Sequence, residues 1–185
     1  MPRTSQQFKE MQQERIDSIL ESSLILYALN NGKITIDEVA KRANCSHGII
    51  YHYFKNSEAI IEKLLSSKSY LDLKNSIIKQ YKGVYAKDAI DNITKTMLSF
   101  STIAGVCYGK ILIGEMGKNS LRKTLESLVE KGQKEGNITG GAPEDIVACF
   151  LYLLNGYYLN VLLSKKRTIC PPPIDNVLEI FRKKR

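Results

Sequence analysis

The segments between helix breakers constrain this chain most, because almost all of them repeat apolar residues at three- and four-residue steps. The five prolines are confined to position 2, position 143 and the triplet 171–173, so long stretches are free of residues that would interrupt a helix. Alternating apolar and polar residues bounded by turns, the pattern of a half-buried strand, are missing. The sequence therefore predicts an all-α fold.

Local signals divide the first third of the chain into short helices. The first helix is expected over residues 11–29, where Asn30-Asn31-Gly32 would end it. Thr35 and Glu38 form a capping-box pattern at the start of the second. Ser46 is a natural N-cap for a short third helix that ends near Phe54. Beyond Asn56, helices are predicted over residues 57–80, 88–100, 105–116, 120–135, 143–164 and 174–182.

A short third helix, joined to the second by a turn of three to four residues, is typical of a helix-turn-helix. Ala40 is small enough for the two helices to cross closely. Asn44 tolerates the positive φ that the turn requires. These features predict a DNA-binding domain over residues 1–56, followed by a larger helical domain over residues 57–185.

Residues 34–58, which read ITIDEVAKRANCSHGIIYHYFKNSE, closely resemble the DNA-binding signature of the TetR/AcrR family of transcriptional regulators. The match is long and ordered, and it covers about the first third of the chain. Asn44 replaces the usual turn glycine, Cys45 the usual valine, and Ser57 a lysine that the family often aims at a phosphate. The last change predicts weaker electrostatic attraction to DNA.

The resemblance implies two groups of DNA-binding side chains. Residues expected to hold the phosphate backbone are Thr35, Tyr51, Tyr53 and Lys55. Residues expected to enter the major groove are Ser46, His47, Gly48 and Ile49, with His52 among the other outward-facing residues of the same helix. Phosphate contacts fix register and base contacts specify sequence, so His47, with two ring nitrogens, is the first candidate for reading a base.

Residues 146–163 are apolar on nearly every side and are followed by three basic residues. Such a helix suits a membrane span or burial between a domain and its partner. Asn155, Gly156 and Asn160 favour the second interpretation. The resemblance implies a homodimer formed by the last two long helices, at about 143–164 and 174–182. A twofold dimer would bind a near-palindromic operator.

The resemblance also implies a small-molecule inducer that shifts the separation of the two DNA-reading heads. Aromatic and methionine side chains of the second domain could line its pocket, although each is individually a plausible core residue. The candidates are Tyr81, Phe100, Tyr108, Met116, Phe150 and Tyr157. Lys110 and Glu115 are the charged residues in this region, so an apolar or aromatic ligand is expected.

The net charge of +8 is only weak support for nucleic-acid binding, because of where the charges lie. Residues 1–63 contain eight basic and eight acidic side chains, and the whole excess lies beyond them. The DNA-binding hypothesis therefore rests on local pattern rather than on global charge, and it predicts a shallow salt dependence. The polar N-terminal stretch lacks the features of an export signal, which predicts a cytoplasmic protein.

The four widely spaced cysteines are expected to be buried, reduced thiols. No cysteine has a histidine at metal-ligand spacing and no acidic pair stands out, so neither an enzyme, nor a cofactor, nor a metal site is predicted. The leading hypothesis is a sequence-specific DNA-binding regulator, a repressor that an inducer releases from its operator. The alternative is a helical membrane-associated or protein-interaction module without sequence-specific DNA binding.

Overall fold

The computed structural model describes residues 5–78, 81, 84–100, 102–117, 120–164 and 170–182. These residues form ten α-helices, and their only strand-like feature is an isolated antiparallel bridge between Ile138 and Arg182. The all-α prediction is confirmed. The chain divides into two compact units, Met1–Tyr70 and Leu71–Arg185.

The first unit contains helices α1 (Ser5–Leu29), α2 (Ile36–Arg42), α3 (His47–Tyr53) and α4 (Ser57–Leu65). Helix α1 packs against α2 and α4, and α2 packs against α3. The core is aliphatic, and its fully buried members include Ile19 on α1, Val39 on α2, Ile50 on α3 and Ile60 on α4. Removing such side chains from water is the main stabilising contribution for so small a core.

The prediction of a single helix over residues 57–80 is wrong, because the helix is interrupted at Ser66–Ser67. Helix α4 ends at Leu65, and two residues separate it from the start of α5 (Lys68–Ile78). The Ser66 hydroxyl donates to the Lys63 carbonyl at 3.3 Å, and the Ser67 hydroxyl accepts from the Tyr70 amide at 3.3 Å. Serine side chains that bond to nearby backbone in this way compete with helix continuation. Residues 79 and 80 lie outside the described residues.

The second unit contains most of α5 and the five helices that follow it. These are α6 (Ala86–Leu98), α7 (Ile103–Gly114), α8 (Leu121–Lys134), α9 (Pro143–Leu163) and α10 (Ile174–Leu178). Helix α9 packs on α7 and α8, while α6 packs on α8 and α10. Pro143 stands in the first turn of α9, as expected for a residue with no amide hydrogen to donate.

The last helix is shorter than the helix expected over residues 174–182. Helix α10 has five residues, and a turn follows it. Val177, Leu178 and Phe181 are buried, and the Phe181 ring packs edge-on against Phe150 at a centroid distance of 5.1 Å. The apolar residues of this segment therefore serve the core of their own unit.

The division between the two compact units falls after Tyr70, within α5. The sequence placed the functional boundary after residue 56, at the cap of α4. Helix α4 packs on α1, and Ile60 and Leu64 are buried. The structural unit therefore continues past the helix-turn-helix that carries the DNA-binding motif.

Gly109 lies where α7 passes close to two aromatic rings. A Cβ atom at this position would stand 2.8 Å from the rings of both Phe100 and Tyr158. Tyr158 is fully buried, and its hydroxyl donates to the Met97 carbonyl at 2.6 Å, which fixes the ring. Burial also raises the pKa of the Tyr158 hydroxyl, so it remains a donor.

We expect Gly109→Ala to lower the free energy of unfolding by about 1–3 kcal/mol, because neither ring can move without loss of packing. Gly114→Ala, at the end of the same helix, places its Cβ in open space and serves as the matched control. Chemical denaturation of both variants measures the difference. Equal stability of the two variants would contradict the close approach at Gly109.

Candidate nucleic-acid interface

The turn between α2 and α3 depends on one residue in the left-handed region of backbone conformation. Asn44 has φ of +49°, and the amide of Cys45 donates back to the Ala40 carbonyl at 3.0 Å. A bond of this type closes the C-terminus of a helix when the preceding residue is left-handed. The prediction that Asn44 accepts positive φ is confirmed, and α3 leaves the turn in a new direction.

Side chains cap both helices as the sequence predicts. The Glu38 amide donates to the Thr35 hydroxyl oxygen at 3.3 Å, and the Glu38 carboxylate accepts from the Thr35 amide at 3.0 Å and hydroxyl at 2.8 Å. Bonds from the Thr35 hydroxyl and amide, and a further one from Asn30, lower the pKa of the Glu38 carboxyl. The Ser46 hydroxyl accepts from the Ile49 amide at 3.4 Å and so begins α3.

Helix α3 has one buried side and one side open to solvent. Ile50 is fully buried and Phe54 nearly so. The predicted DNA-binding residues all lie outside this core. Those that are exposed are Thr35, Ser46, His47, Gly48, Tyr51, His52 and Lys55, and those that are half-buried are Ile49 and Tyr53.

Gly48 presents bare backbone on the open side of α3. A Cβ atom there would meet only the Ser46 hydroxyl oxygen, at 3.9 Å. Packing within the protein therefore places no demand on glycine at this position. Close approach of another molecule would be a reason for glycine here, since a residue without a Cβ allows another backbone to come near.

A close contact between a carboxylate and an imidazole, which the sequence did not suggest, lies beside this surface. His47 Nε2 is 3.2 Å from Asp37 Oδ1, which joins the first residue of α3 to the first turn of α2. Ten residues separate the two in sequence. Periodicity gives no signal for such a pair, because it depends on the crossing of α2 and α3.

The six residues predicted to line a ligand pocket have different surroundings in the second unit. Phe150 is fully buried and packs on Phe181, whereas Met116 is 86% exposed. The Phe100 ring stacks with Tyr158 at a centroid distance of 6.1 Å. Tyr157 lines an open groove of about 450 Å³ together with Leu153, Asn160, Cys170 and Pro172. Tyr81 and Tyr108 are half-buried. A shared pocket for all six remains a prediction.

Two polar contacts cross the second unit near this region. Lys110 is buried on α7, and its ammonium donates to the Asn155 amide oxygen on α9 at 3.1 Å. Burial lowers the pKa of Lys110. Lys74 on α5 contacts both carboxylate oxygens of Glu115, at 2.6 and 2.8 Å.

The expectation that all four cysteines are buried is wrong. Cys107 is buried and Cys45 is half-buried, but Cys149 and Cys170 are exposed. Cys149 lies on the outer side of α9, which is apolar on several sides, so the sequence pattern could not distinguish inner from outer positions. Among the described residues, no cluster of histidine, cysteine, aspartate and glutamate has the arrangement of a metal site.

Helix α3 and the turn before it define the class of this protein as a helix-turn-helix DNA-binding regulator. Residues 32–64 match the family model described as bacterial regulatory proteins, tetR family. The chain is also 26% identical over 149 residues to YvkB of Bacillus subtilis, an uncharacterized HTH-type transcriptional regulator, and the alignment covers 75% of this chain and 77% of YvkB. Residues 32–64 therefore carry the DNA-binding segment of the tetR family of bacterial regulatory proteins.

Solved structures show that the similarity in fold extends over most of the chain. Regulatory protein TetR from Rhodobacter sphaeroides aligns with a TM-score of 0.53 at 17% identity, covering 89% of this chain and 97% of that one. The SmeT–triclosan complex aligns with a TM-score of 0.51 at 11% identity, covering 92% of both chains. A protein from Saccharomonospora viridis in complex with choline gives 0.52 at 16% identity, covering 90% and 93%.

The matched family consists of regulatory proteins rather than enzymes, which confirms the prediction of a DNA-binding regulator. The match also disfavours the alternative of a module without sequence-specific DNA binding. Helix α9 is nevertheless long and apolar enough to cross a membrane, and only 33% of its most apolar window is buried within the protein. Packing within this chain therefore does not account for the exposed apolar side of α9.

The left-handed turn can be tested by replacing Asn44. We expect Asn44→Ala to lower the free energy of unfolding by about 1 kcal/mol, because alanine pays the cost of positive φ without the local hydrogen bonds of asparagine. Asn44→Gly should be neutral or slightly stabilising, since glycine enters this region freely. Thermal denaturation of both variants is the measurement. A stability of the alanine variant equal to that of the glycine variant would contradict the turn.

Proposed function

We propose that this chain is a ligand-responsive repressor that reads a near-palindromic operator through the open side of α3. The observation that carries the proposal is the division of α3, whose Ile50 is fully buried while His47, Gly48 and Tyr51 face solvent. A helix held by its apolar side and open on its polar side can be laid in the major groove.

The outward residues fall into two roles in this proposal. His47 and Ile49 discriminate base edges, with Ser46 and Gly48 allowing close approach of the helix. The phosphate contacts come from Thr35, Tyr51, Tyr53 and Lys55, with His52 beside them. The Thr35 hydroxyl already bonds to Glu38 in the capping box, so its backbone contact would involve exchange or sharing of that hydrogen bond.

Dimerisation follows from the open side of α9. Tyr152 is 71% exposed and Leu163 is 65% exposed, and Leu159 lies between them on the same helix. A row of apolar residues on a helix of 21 residues is costly in water. TetR-family proteins typically dimerise, and a second copy of α9 would cover this row. Helix α10 buries Val177 and Leu178 within its own unit, so the proposed interface depends mainly on α9.

A dimer of this kind carries two copies of α3 related by a twofold axis. The operator would then contain two inverted half-sites separated by about one helical turn of DNA, or slightly more. An inducer bound in the second unit would release the DNA if it bound one separation of the two α3 helices more tightly than the other. The triclosan and choline complexes of the similar folds support a small organic effector.

The membrane-bound alternative rests on the length and hydropathy of α9. Fractionation of cells separates the two proposals, because a dimer that covers α9 remains in the soluble fraction. A protein that sediments with membranes and resists extraction by salt would contradict the dimer and favour the alternative. A soluble protein also agrees with the predicted cytoplasmic location.

The two roles of the outward residues predict different effects on DNA binding. His47→Ala should weaken binding to a duplex selected from a random pool by about 1–3 kcal/mol, a larger loss than for non-specific duplexes. Lys55→Ala should weaken binding to specific and non-specific duplexes alike and reduce the salt dependence by about one phosphate contact. Titrations at several salt concentrations measure both effects. Identical behaviour of the two variants would refute the assignment of roles.

The proposed interface predicts that a charge on α9 separates the subunits. Tyr152→Asp should shift the protein from dimer to monomer, because a carboxylate would be buried without a partner. Tyr85→Asp is the matched control, since Tyr85 is 68% exposed and lies before α6. Sedimentation velocity measures the state of each variant. A Tyr152→Asp protein that remains dimeric would contradict the interface.

A further inference from the structure

The contact between Asp37 and His47 places a carboxylate beside the surface proposed to meet DNA. The Asp37 side chain is 82% exposed, the His47 side chain is 55% exposed, and the Nε2–Oδ1 distance is 3.2 Å. In the free protein such an exposed pair contributes little to stability, because water screens both charges. Its significance therefore lies in what changes when DNA covers it.

DNA phosphates would repel an uncompensated carboxylate at this position. Docking also removes water from the contact, which strengthens the attraction between a carboxylate and a nearby cation. Histidine is the side chain whose charge changes between about pH 5 and pH 8. Phosphates and Asp37 thus favour the same form of His47, the imidazolium cation.

The other charged groups near His47 do not cancel this effect. Helix α2, which packs on α3, also carries Glu38, Lys41 and Arg42. Glu38 is held in the capping box with Thr35. Lys41 and Arg42 are exposed in the last turn of α2, at the opposite end of the helix from Asp37, and they oppose protonation more weakly. On α3 the second histidine, His52, packs edge-on against Tyr53 at a centroid distance of 4.8 Å.

We propose that Asp37 is a positioning residue for His47. The Asp37 carboxylate holds the His47 imidazole through Nε2 and makes the imidazolium the form that binds DNA. This inference rests on the proposed role of α3 in DNA recognition. The cation donates from both nitrogens, so Nε2–H bonds to Asp37 and Nδ1–H is left for an acceptor on the DNA. Phosphate oxygens and the O6 and N7 atoms of guanine are acceptors of this kind. DNA binding then takes up one proton.

The test uses the full chain and a duplex selected by the wild-type protein from a random pool. Dissociation constants are measured from about pH 8 to about pH 5.5 at fixed salt. We compare the wild type with Asp37→Asn, His47→Ala and the double variant. Glu21→Gln, which removes an exposed carboxylate from α1, controls for net charge. Thermal melts establish that each variant is folded.

Wild-type affinity should rise as the pH falls, with a gradient that cannot exceed about tenfold per pH unit for one proton. Asp37→Asn should at least halve this gradient, while Glu21→Gln retains it and His47→Ala abolishes it. In the His47→Ala background, Asp37→Asn should raise the affinity for DNA, because it removes the repulsion between the carboxylate and the phosphates. When His47 is present, the same substitution should lower the affinity at low pH. The difference should be at least about threefold.

Three results would overturn the inference. An Asp37→Asn gradient equal to that of the wild type, or additive effects of the two substitutions, would show that Asp37 does not act through His47. A wild-type affinity independent of pH would show that the imidazolium is not required, while the role of α3 in DNA binding would stand. Failure of the wild type to select any duplex would remove both the inference and the function on which it rests.

Discussion

The positive φ of Asn44 determines how the rest of the DNA-binding unit is arranged. The residue reverses the chain after α2 and allows the Cys45 amide to bond to the Ala40 carbonyl. Only then does α3 leave the turn with Ile50 directed into the core and His47 directed outward. The α3 helix has seven residues, too few to be stable alone in water. Its direction and its existence both depend on the turn and on the core it covers.

Electrostatics plays a local rather than a global part in this account. Residues 1–63 carry no net charge, and the basic excess of the chain lies beyond them. In the proposed interface, affinity for DNA would come from a few well-placed groups such as Lys55 and the caps of α2 and α3. On such a surface a single carboxylate would have a large relative effect, which is the reason for the proposal on Asp37 and His47.

Features that depend on neighbouring residues were predictable from the sequence. The capping box at Thr35, the caps at Ser46 and Asn56, and the left-handed Asn44 each follow from one side chain and the backbone beside it. The interruption at Ser66–Ser67 and the shortness of α10 were not predictable from the sequence. Each depends on the balance between local hydrogen bonds and tertiary packing. The apolar residues at 174–182 fit a helix face, yet Phe181 reaches Phe150 from a turn.

Side-chain surroundings in the second unit were the least predictable feature. Phe150 and Met116 have similar hydropathy, but one is fully buried and the other is 86% exposed. Helix α9 is apolar on nearly every side, so its pattern alone does not distinguish the side packed on α7 and α8 from the side left open. Tertiary packing decides this, and the open side that results is the basis for the proposed dimer.

A hydroxyl-radical footprint of the protein on the DNA that flanks its own gene tests the central claim most directly. The account predicts two short protected segments, related by a dyad and about one helical turn apart, on one face of the duplex. It also predicts that the position of the two protected segments places the major groove of each half-site against α3. Uniform weak protection without a dyad, or none at concentrations that saturate non-specific DNA, would contradict the reading of this chain's α3 as a sequence-specific recognition helix.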